Sequence, residues 1–350
     1  MRIAVLHPQA AFVRGGAEAH AEALVRALAE AGHEADLVTI AWQWFPPARL
    51  AHNMAIWRSF DISESNGLKV DAVIALKFPS YLVHHERKIV WLIHQHRTAY
   101  DLWDHPEFAD LSHQPQGEAI RDMIVNADRA GFDEASRIFT NSANVKRRLW
   151  ESLRVQGEVL YHPSDATMAL LDEQPGPYGD HVFLPGRFEP VKRQALAIEA
   201  MRHVQSPVSL VLVGRGPDEP LLRELIERLG LGDRVRLEIG VSDERLHELY
   251  LTALAVLYPP FDEDYGYVTI EGMAAERPVI TCSDSGGPLE FVDHEQTGLV
   301  TEPGAEAIAG AIDRLHADRA LAARLGVAGR ARVRETVPGW PQIVERLLEP

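Results

Sequence analysis

"LAVLYPPFDEDYGYVTIEGMAAERPVITC", residues 254–282, opens on an apolar run of strand length, passes through an acidic turn and ends on a second apolar run. Between the turn and that second run, "YVTIEGMAA" reads as the start of a helix. Strand, helix, strand is the repeating unit of a parallel sheet, and runs apolar on both faces suit a sheet covered by helices on each side. The turn is the unusual part. Asp262, Glu263 and Asp264 are consecutive, Gly266 permits a sharp bend, and Glu271 follows Glu263 by eight positions. Asp262-Glu263-Asp264 spells Asp-x-Asp, so a metal is one explanation of the acids. Acceptors for sugar hydroxyls are a second, and acids that merely favour a helix N-terminus are a third. The amides from Tyr265 to Val268 lie at that positive helix end.

The same alternation runs through nearly the whole chain. "RIAVLH", "ADLVTI", "DAVIAL", "KIVWLIH", "RIFTN" and "EVLYH" read as strands separated by amphipathic helices such as "AEAHAEALVRALAEAG". A stretch rich in Pro, Gly and Asp, "PSDATMALLDEQPGPYGD", reads as a linker. Beyond it "HVFLPG", "VSLVLVG", "RVRLEIG", "LAVLYP", "RPVITC" and "TGLVTEP" restart the pattern. The expected fold class is α/β, with two Rossmann-like, doubly wound domains over 1–165 and 166–337. A closing helix over 338–350 is expected to pack back on the first. Such domains bind ligands at the carboxyl ends of their strands, here around a shared cleft.

Composition narrows the function. With 350 residues, 46% apolar and 25% charged, the chain is globular and long enough for two cores. The net charge is −16, and 17 Lys and Arg against 21 Asp and Glu up to residue 165 leave about −12 for the remainder. So acidic a surface argues against general nucleic-acid binding. The single cysteine, Cys282, rules out an intramolecular disulfide. No apolar leader follows "MRIAVLH" and no apolar run reaches membrane length, so a cytoplasmic location is expected.

Chemistry-bearing residues fall where strands end. "VRGGAEAH" sets Gly15 and Gly16 at the start of the first helix, where backbone can approach an anion or hydroxyl, or simply turn. It is not G-x-G-x-x-G, and no other stretch supplies that fingerprint, which argues against a nicotinamide cofactor. "LPGRFEPVKR" offers the fork of Arg187 and the point charge of Lys192, suited to a diphosphate or to solvent. "LVLVGRGPDEP" ends its strand in Gly214-Arg215-Gly216-Pro217, a site edge or a plain turn. "KIVWLIHQHRTAYDLWD" places His94 at a strand end, to bond a sugar hydroxyl or to serve the structure. No further ligands stand around it at metal spacing. "AWQWFPP" is aromatic enough for an acceptor or membrane contact, but no basic amphipathic partner accompanies it, so buried or loop packing is expected.

Taken together these segments resemble the family 4 retaining glycosyltransferases, which have the GT-B fold. The resemblance rests on Glu263 and Glu271 as a Glu-x7-Glu element, then "AAERPVITC", "DSGGPLEFV" with Gly286, Gly287 and Glu290, and "TGLV". "GRFEPVK", "VGRGP" and the early "GGAE" stand in the family's order. It implies that Arg187 and Lys192 neutralise the donor diphosphate, that Glu271 binds the ribose, and that Glu263 with the amides of 264–267 (Asp264, Tyr265, Gly266, Tyr267) holds the transferred sugar. It further implies that Gly15 and Gly16 approach phosphate or acceptor, that Gly214 borders the donor, that His94 contacts the sugar, and that Val241 lies near the base. Two departures stand out: Asp264 where a glycine often occurs, and Arg193 where glycine is common after the lysine.

The expected activity is therefore a hexosyltransferase-type transfer, with retention, from a nucleotide-diphosphate sugar to a hydroxyl acceptor on a glycan, lipid or metabolite. No cofactor and no metal are expected, since cations face the phosphates, and the Asp-x-Asp spelling is then incidental. A peripheral membrane contact is compatible, and nucleic acid is not an expected partner. A nucleotide-sugar epimerase of the same architecture is the alternative. An oxidoreductase and a non-catalytic sugar-binding module are the more distant rivals.

Overall fold

Apolar strands buried on both faces dictate a layered architecture, and the chain builds it twice. The computed structural model describes residues 1–349 in two units: Met1–His162 with Gly339–Pro350, and Pro163–Pro338. The first unit contains strands β1 (Arg2–Gln9), β2 (Glu34–Ala41), β3 (Glu64–Ser65), β4 (Leu68–Lys69), β5 (Ala72–Ala75), β6 (Lys88–Leu92), β7 (Arg137–Thr140) and β8 (Glu158–Val159). Its helices are α1 (Gly16–Glu30), α2 (Ala48–Ser59), α3 (Gly117–Asp133) and α4 (Ala143–Leu153). Six strands form one parallel sheet in the order β2-β1-β5-β6-β7-β8, and β3 and β4 make a separate small hairpin. Val5, Leu6, Val73, Ile74, Val90 and Trp91 are wholly buried, as helices on both faces require. The helix Trp340–Leu348 belongs to this unit: Ile343 and Leu347 are fully buried with Leu24, Leu28 and Trp91.

The second unit contains α5 (Asp165–Asp172), β9 (His181–Pro185), α6 (Gln194–Ala200), β10 (Ser209–Val213), α7 (Glu219–Arg228), β11 (Val235–Glu238), α8 (Asp243–Thr252), β12 (Ala255–Leu257), α9 (Tyr267–Ala274), β13 (Val279–Cys282), β14 (Gly298–Thr301), α10 (Ala305–Ala317) and α11 (Arg319–Thr336). Its sheet is parallel, in the order β11-β10-β9-β12-β13-β14. The winding reverses between β9 and β12, so the crevice beyond their carboxyl ends is the switch point where such sheets take ligands. In the first unit the reversal falls between β1 and β5.

One reading of the sequence needs correction. The stretch read as a linker, 163–180, contains α5, capped by the Ser164 hydroxyl accepting from the Thr167 amide at 3.0 Å. Its capping serine outweighs the Pro and Gly, which apart from Pro163, just ahead of the cap, all lie beyond Asp172. Beyond β9, helix begins only at Gln194, because Arg193, with φ +54°, breaks the turn ahead of it.

Candidate functional site

The site is built on the loops beyond β9 and β12. After β9 the chain turns at Gly186, and the loop after β10 passes so close that a Cβ on Gly214 would sit 1.9 Å from the Gly186 carbonyl oxygen. Only glycine fits there. The Phe188 amide donates to the Arg215 carbonyl at 3.0 Å, which ties the two loops together. On this support Arg187 is exposed and pairs with Glu189 at 2.6 Å. Val241 follows Gly240, whose φ is +64°, and is half-buried.

Lys192 lies deeper, and its ammonium makes an ion pair with Glu263 and a 3.3 Å hydrogen bond to the Tyr258 hydroxyl oxygen. Tyr258 is a buried residue immediately after β12. Burial would lower the Lys192 pKa, but the Glu263 carboxylate and then Tyr258 outweigh it and raise it far above the ordinary value. The lysine is therefore a fixed cation at neutral pH.

The acidic turn is clamped rather than loose. The Phe261 amide donates to Val191 O at 2.7 Å, Asp262 N to Asp284 O at 2.8 Å and Glu263 N to Ser285 O at 2.8 Å. The Gly287 amide returns a bond to Glu263 O at 2.9 Å. Arg193 adds a two-pronged bridge, both its terminal nitrogens donating to the Asp284 carboxylate at 2.8 Å, and its guanidinium lies 5.1 Å above the Phe261 ring. Its left-handed backbone explains why glycine suits this position; here the bridge to Asp284 offsets the strain. Asp264 is half-buried and not among the residues of positive φ, so no glycine is needed there; Asp262, with φ +39°, takes the tight conformation.

Gly266, with φ +88°, caps α9 in the left-handed region. Tyr265 is buried and meets Tyr267 and Phe291 edge-on, with ring centroids 5.6 and 5.7 Å away. Glu271, one turn into α9, sits in an environment separate from that of Glu263. One carboxylate oxygen accepts from the Ser164 hydroxyl at 2.7 Å and the other from the Tyr250 hydroxyl at 2.6 Å. Burial pushes its carboxyl up, and the two hydroxyls only partly hold it down. Among the described residues, no group of three or more His, Cys, Asp or Glu is gathered to hold a metal ion.

In the first unit, Gly15 precedes α1 and Gly16 begins it, with the Gly15 amide donating to Glu18 at 2.8 Å. Glu18 is the centre of a buried trio: His7 Nε2 lies 3.2 Å and Lys77 Nζ 3.5 Å from one of its oxygens. Burial would raise the Glu18 carboxyl, but His7 and Lys77 bring it down to about 2. His7 stands on β1 and Lys77 just after β5, so the trio occupies this unit's own switch point. His94 is half-buried, with Nδ1 2.7 Å from the Gln95 carbonyl oxygen. Sequence reasoning missed Tyr258, Ser164, Tyr250, His7 and Lys77. Only Ser164 had a local signal, as the capping residue of α5.

The fold defines the class first. Over 99% of the chain and 97% of its counterpart, it superposes on sucrose-phosphate synthase from Thermosynechococcus elongatus with a TM-score of 0.74 at 22% identity. Over 99% of the chain and 98% of the other, it superposes on Anabaena Alr3699/HepE in complex with UDP-glucose with a TM-score of 0.71 at 18% identity. Two parallel Rossmann-like units of this kind are the GT-B fold. Residues 179–332, within the second unit, match the family Glycosyl transferases group 1. The second unit is thus similar to the glycosyl transferases of that family, and the chain as a whole shares the GT-B fold.

Among curated relatives, alpha-1,3/1,6-mannosyltransferase ALG2 of Homo sapiens is 33% identical over 165 residues, 43% of this chain and 39% of that protein. The GDP-mannose-dependent alpha-(1-6)-phosphatidylinositol monomannoside mannosyltransferase of Mycobacterium tuberculosis is 34% identical over 155 residues, 41% of this chain and 40% of that protein. The chain thus spans about two-fifths of the length of these curated relatives.

Proposed function

We propose that this chain transfers a hexose from a nucleotide-diphosphate sugar to a hydroxyl acceptor. The observation that carries the reading is the Lys192–Glu263–Tyr258 cluster at the switch point of the second sheet, inside the region that matches the glycosyl transferase family. Breaking the anomeric C–O bond places new charge on the departing diphosphate, and a preorganised cation lowers that barrier. Lys192, already fixed by Glu263 and Tyr258, meets that charge, and Arg187 adds its fork by exchanging Glu189 for phosphate oxygens. Glu263 accepts from a hydroxyl of the transferred sugar, and Glu271 accepts from the ribose beside Ser164 and Tyr250. Retention and independence of metal belong to this reading, the second because Lys192 and Arg187 already supply cationic charge.

The mannosyl and UDP-glucose relatives make GDP-mannose and UDP-glucose the first donors to try. Thermal shift against GDP, UDP, ADP and dTDP should show stabilisation by one nucleotide, followed by transfer from the matching sugar donors at a rate unchanged by EDTA. No stabilisation by any nucleotide would sink the reading. An epimer formed from donor alone would favour the epimerase, and activity lost to EDTA and restored by a divalent ion would overturn metal independence.

A further inference from the structure

The loops beyond β1 and β2 carry an aromatic patch that plays no part in the proposed transfer. The two strands are paired as far as Gln9 and Ala41, and the Trp42 amide donates to Gln9 O at 2.8 Å, so both loops leave the sheet side by side. Phe12 stands three residues beyond that level on one loop and Trp44 three beyond it on the other, with Phe45 next. Their exposures are 108%, 49% and 66%. The expectation of buried or loop packing for "AWQWFPP" therefore holds for Trp42, whose ring meets Phe78 and His96 edge-on, and not for Trp44 or Phe45.

The loop holding Phe12 is built, not slack. The Gln9 side-chain amide donates to Ala10 O at 2.9 Å and to Val13 O at 2.8 Å, and Phe12 takes φ +64°, a conformation costly for an aromatic residue. Folding thus holds a bare ring in solvent.

Charge selects the occupant. The chain has 51 acidic residues in 350, yet none occurs in 1–17 or 37–60, the segments that supply both loops and α2. Arg49 and His52, one turn apart on α2, are both exposed, and Arg14 follows Phe12, paired with Glu22. An aromatic tip with basic neighbours on an otherwise acidic protein is complementary to an anionic lipid interface. A sugar-stacking platform fits less well, because a stacking ring rests one face on protein and Phe12 rests neither. No helix among the described residues is long and apolar enough to cross a membrane, so the contact is peripheral.

We infer that Phe12, Trp44 and Phe45 dip into the interface of an anionic bilayer, with Arg49 and His52 at headgroup level. The inference stands independently of the transfer reaction. It is tested by co-sedimentation with vesicles of phosphatidylcholine alone and of phosphatidylcholine with about a third phosphatidylglycerol, at low and high salt. The expected result is binding to the anionic vesicles that weakens with salt, with a blue shift of tryptophan emission that the Trp44→Phe variant loses. The combined Phe12→Ser, Trp44→Ser, Phe45→Ser variant and, separately, Arg49→Glu should each bind roughly tenfold more weakly or worse, while melting as the parent does. Equal binding by parent and variants overturns the inference. So does a parent that is dimeric by sedimentation velocity and monomeric in the triple variant, which would assign the patch to a second copy.

Discussion

Lys192 shows how one residue can be committed to a charge before substrate arrives. Its ammonium is held by a carboxylate and a phenol, both partly or wholly withdrawn from water, so under the proposed transfer it needs little reorganisation as charge develops on a diphosphate. Lys192→Ala should lower kcat by roughly a hundredfold or more, about 2.7–4 kcal/mol by analogy with removing a preorganised oxyanion donor. Full transferase activity in that variant would remove the lysine from the mechanism. On the same proposal Tyr258 acts through Lys192, so Tyr258→Phe should cost about 0.5–1.5 kcal/mol, the net worth of one hydrogen bond, in kcat rather than in KM. A KM effect of that size with kcat unchanged would contradict the positioning role. Glu263 and Glu271 divide at the same scale: one faces an ammonium, the other two hydroxyls.

Among the elements, α5 shows how a short helix serves a site built elsewhere. The Ser164 hydroxyl accepts the Thr167 amide as the cap of α5 and donates to Glu271 on α9. Losing a serine cap costs about 0.5–2 kcal/mol, and for a unit of this size about 1 kcal/mol lowers Tm by roughly 2–4 °C. Ser164→Ala should show that drop together with weaker nucleotide binding, and Ser164→Thr should restore both. A Tm drop with nucleotide affinity intact would confine Ser164 to the helix. The clamp of Phe261–Glu263 between the loops after β9 and β13 explains why so charged a turn stays ordered: its amides are paired to three separate carbonyls.

For the molecule as a whole, the closing helix is part of the first unit's core. Ile343 and Leu347 are fully buried, and the Trp340 ring lies 6.3 Å from Trp91, His20 and His162. Two such side chains contribute about 1.5–3 kcal/mol each, a large share of the 5–15 kcal/mol by which domains are stable. Truncation after Pro338 should leave the first unit insoluble or poorly cooperative in calorimetry, and an unchanged melt would show the helix to be dispensable. Stability should also depend on pH through Asp128, fully buried on α3, which burial pushes up to about 7 against the Tyr100 hydrogen bond. The folded chain holds that proton more tightly than the unfolded one, so this contribution is complete below the ordinary pKa of 3.8 and is lost as pH rises through about 7. The Tm of Asp128→Asn should therefore gain on the parent between pH 5 and pH 8, and a constant gap would refute the assignment.

The sequence by itself determined the two parallel units, because the burial of strand and helix faces leaves a period that can be read within a few residues. It determined the ordered loops at strand ends for the same reason: Gly186, Gly214 and Gly266 stand where tight turns or close approaches demand them. Ser164 carries a local cap signal too, but the Pro and Gly after Asp172 give the stretch the composition of a linker. Tertiary structure alone decided which charges meet. Lys192 and Glu263 are 71 positions apart, Ser164 and Glu271 107, and Tyr258 joins the lysine only because β12 lies beside β9. Strand order is a property of the whole sheet, and no local window contains it. The exposed Phe12, Trp44 and Phe45 belong to the same class, since the sequence records that a ring is apolar but only the folded chain settles whether anything covers it.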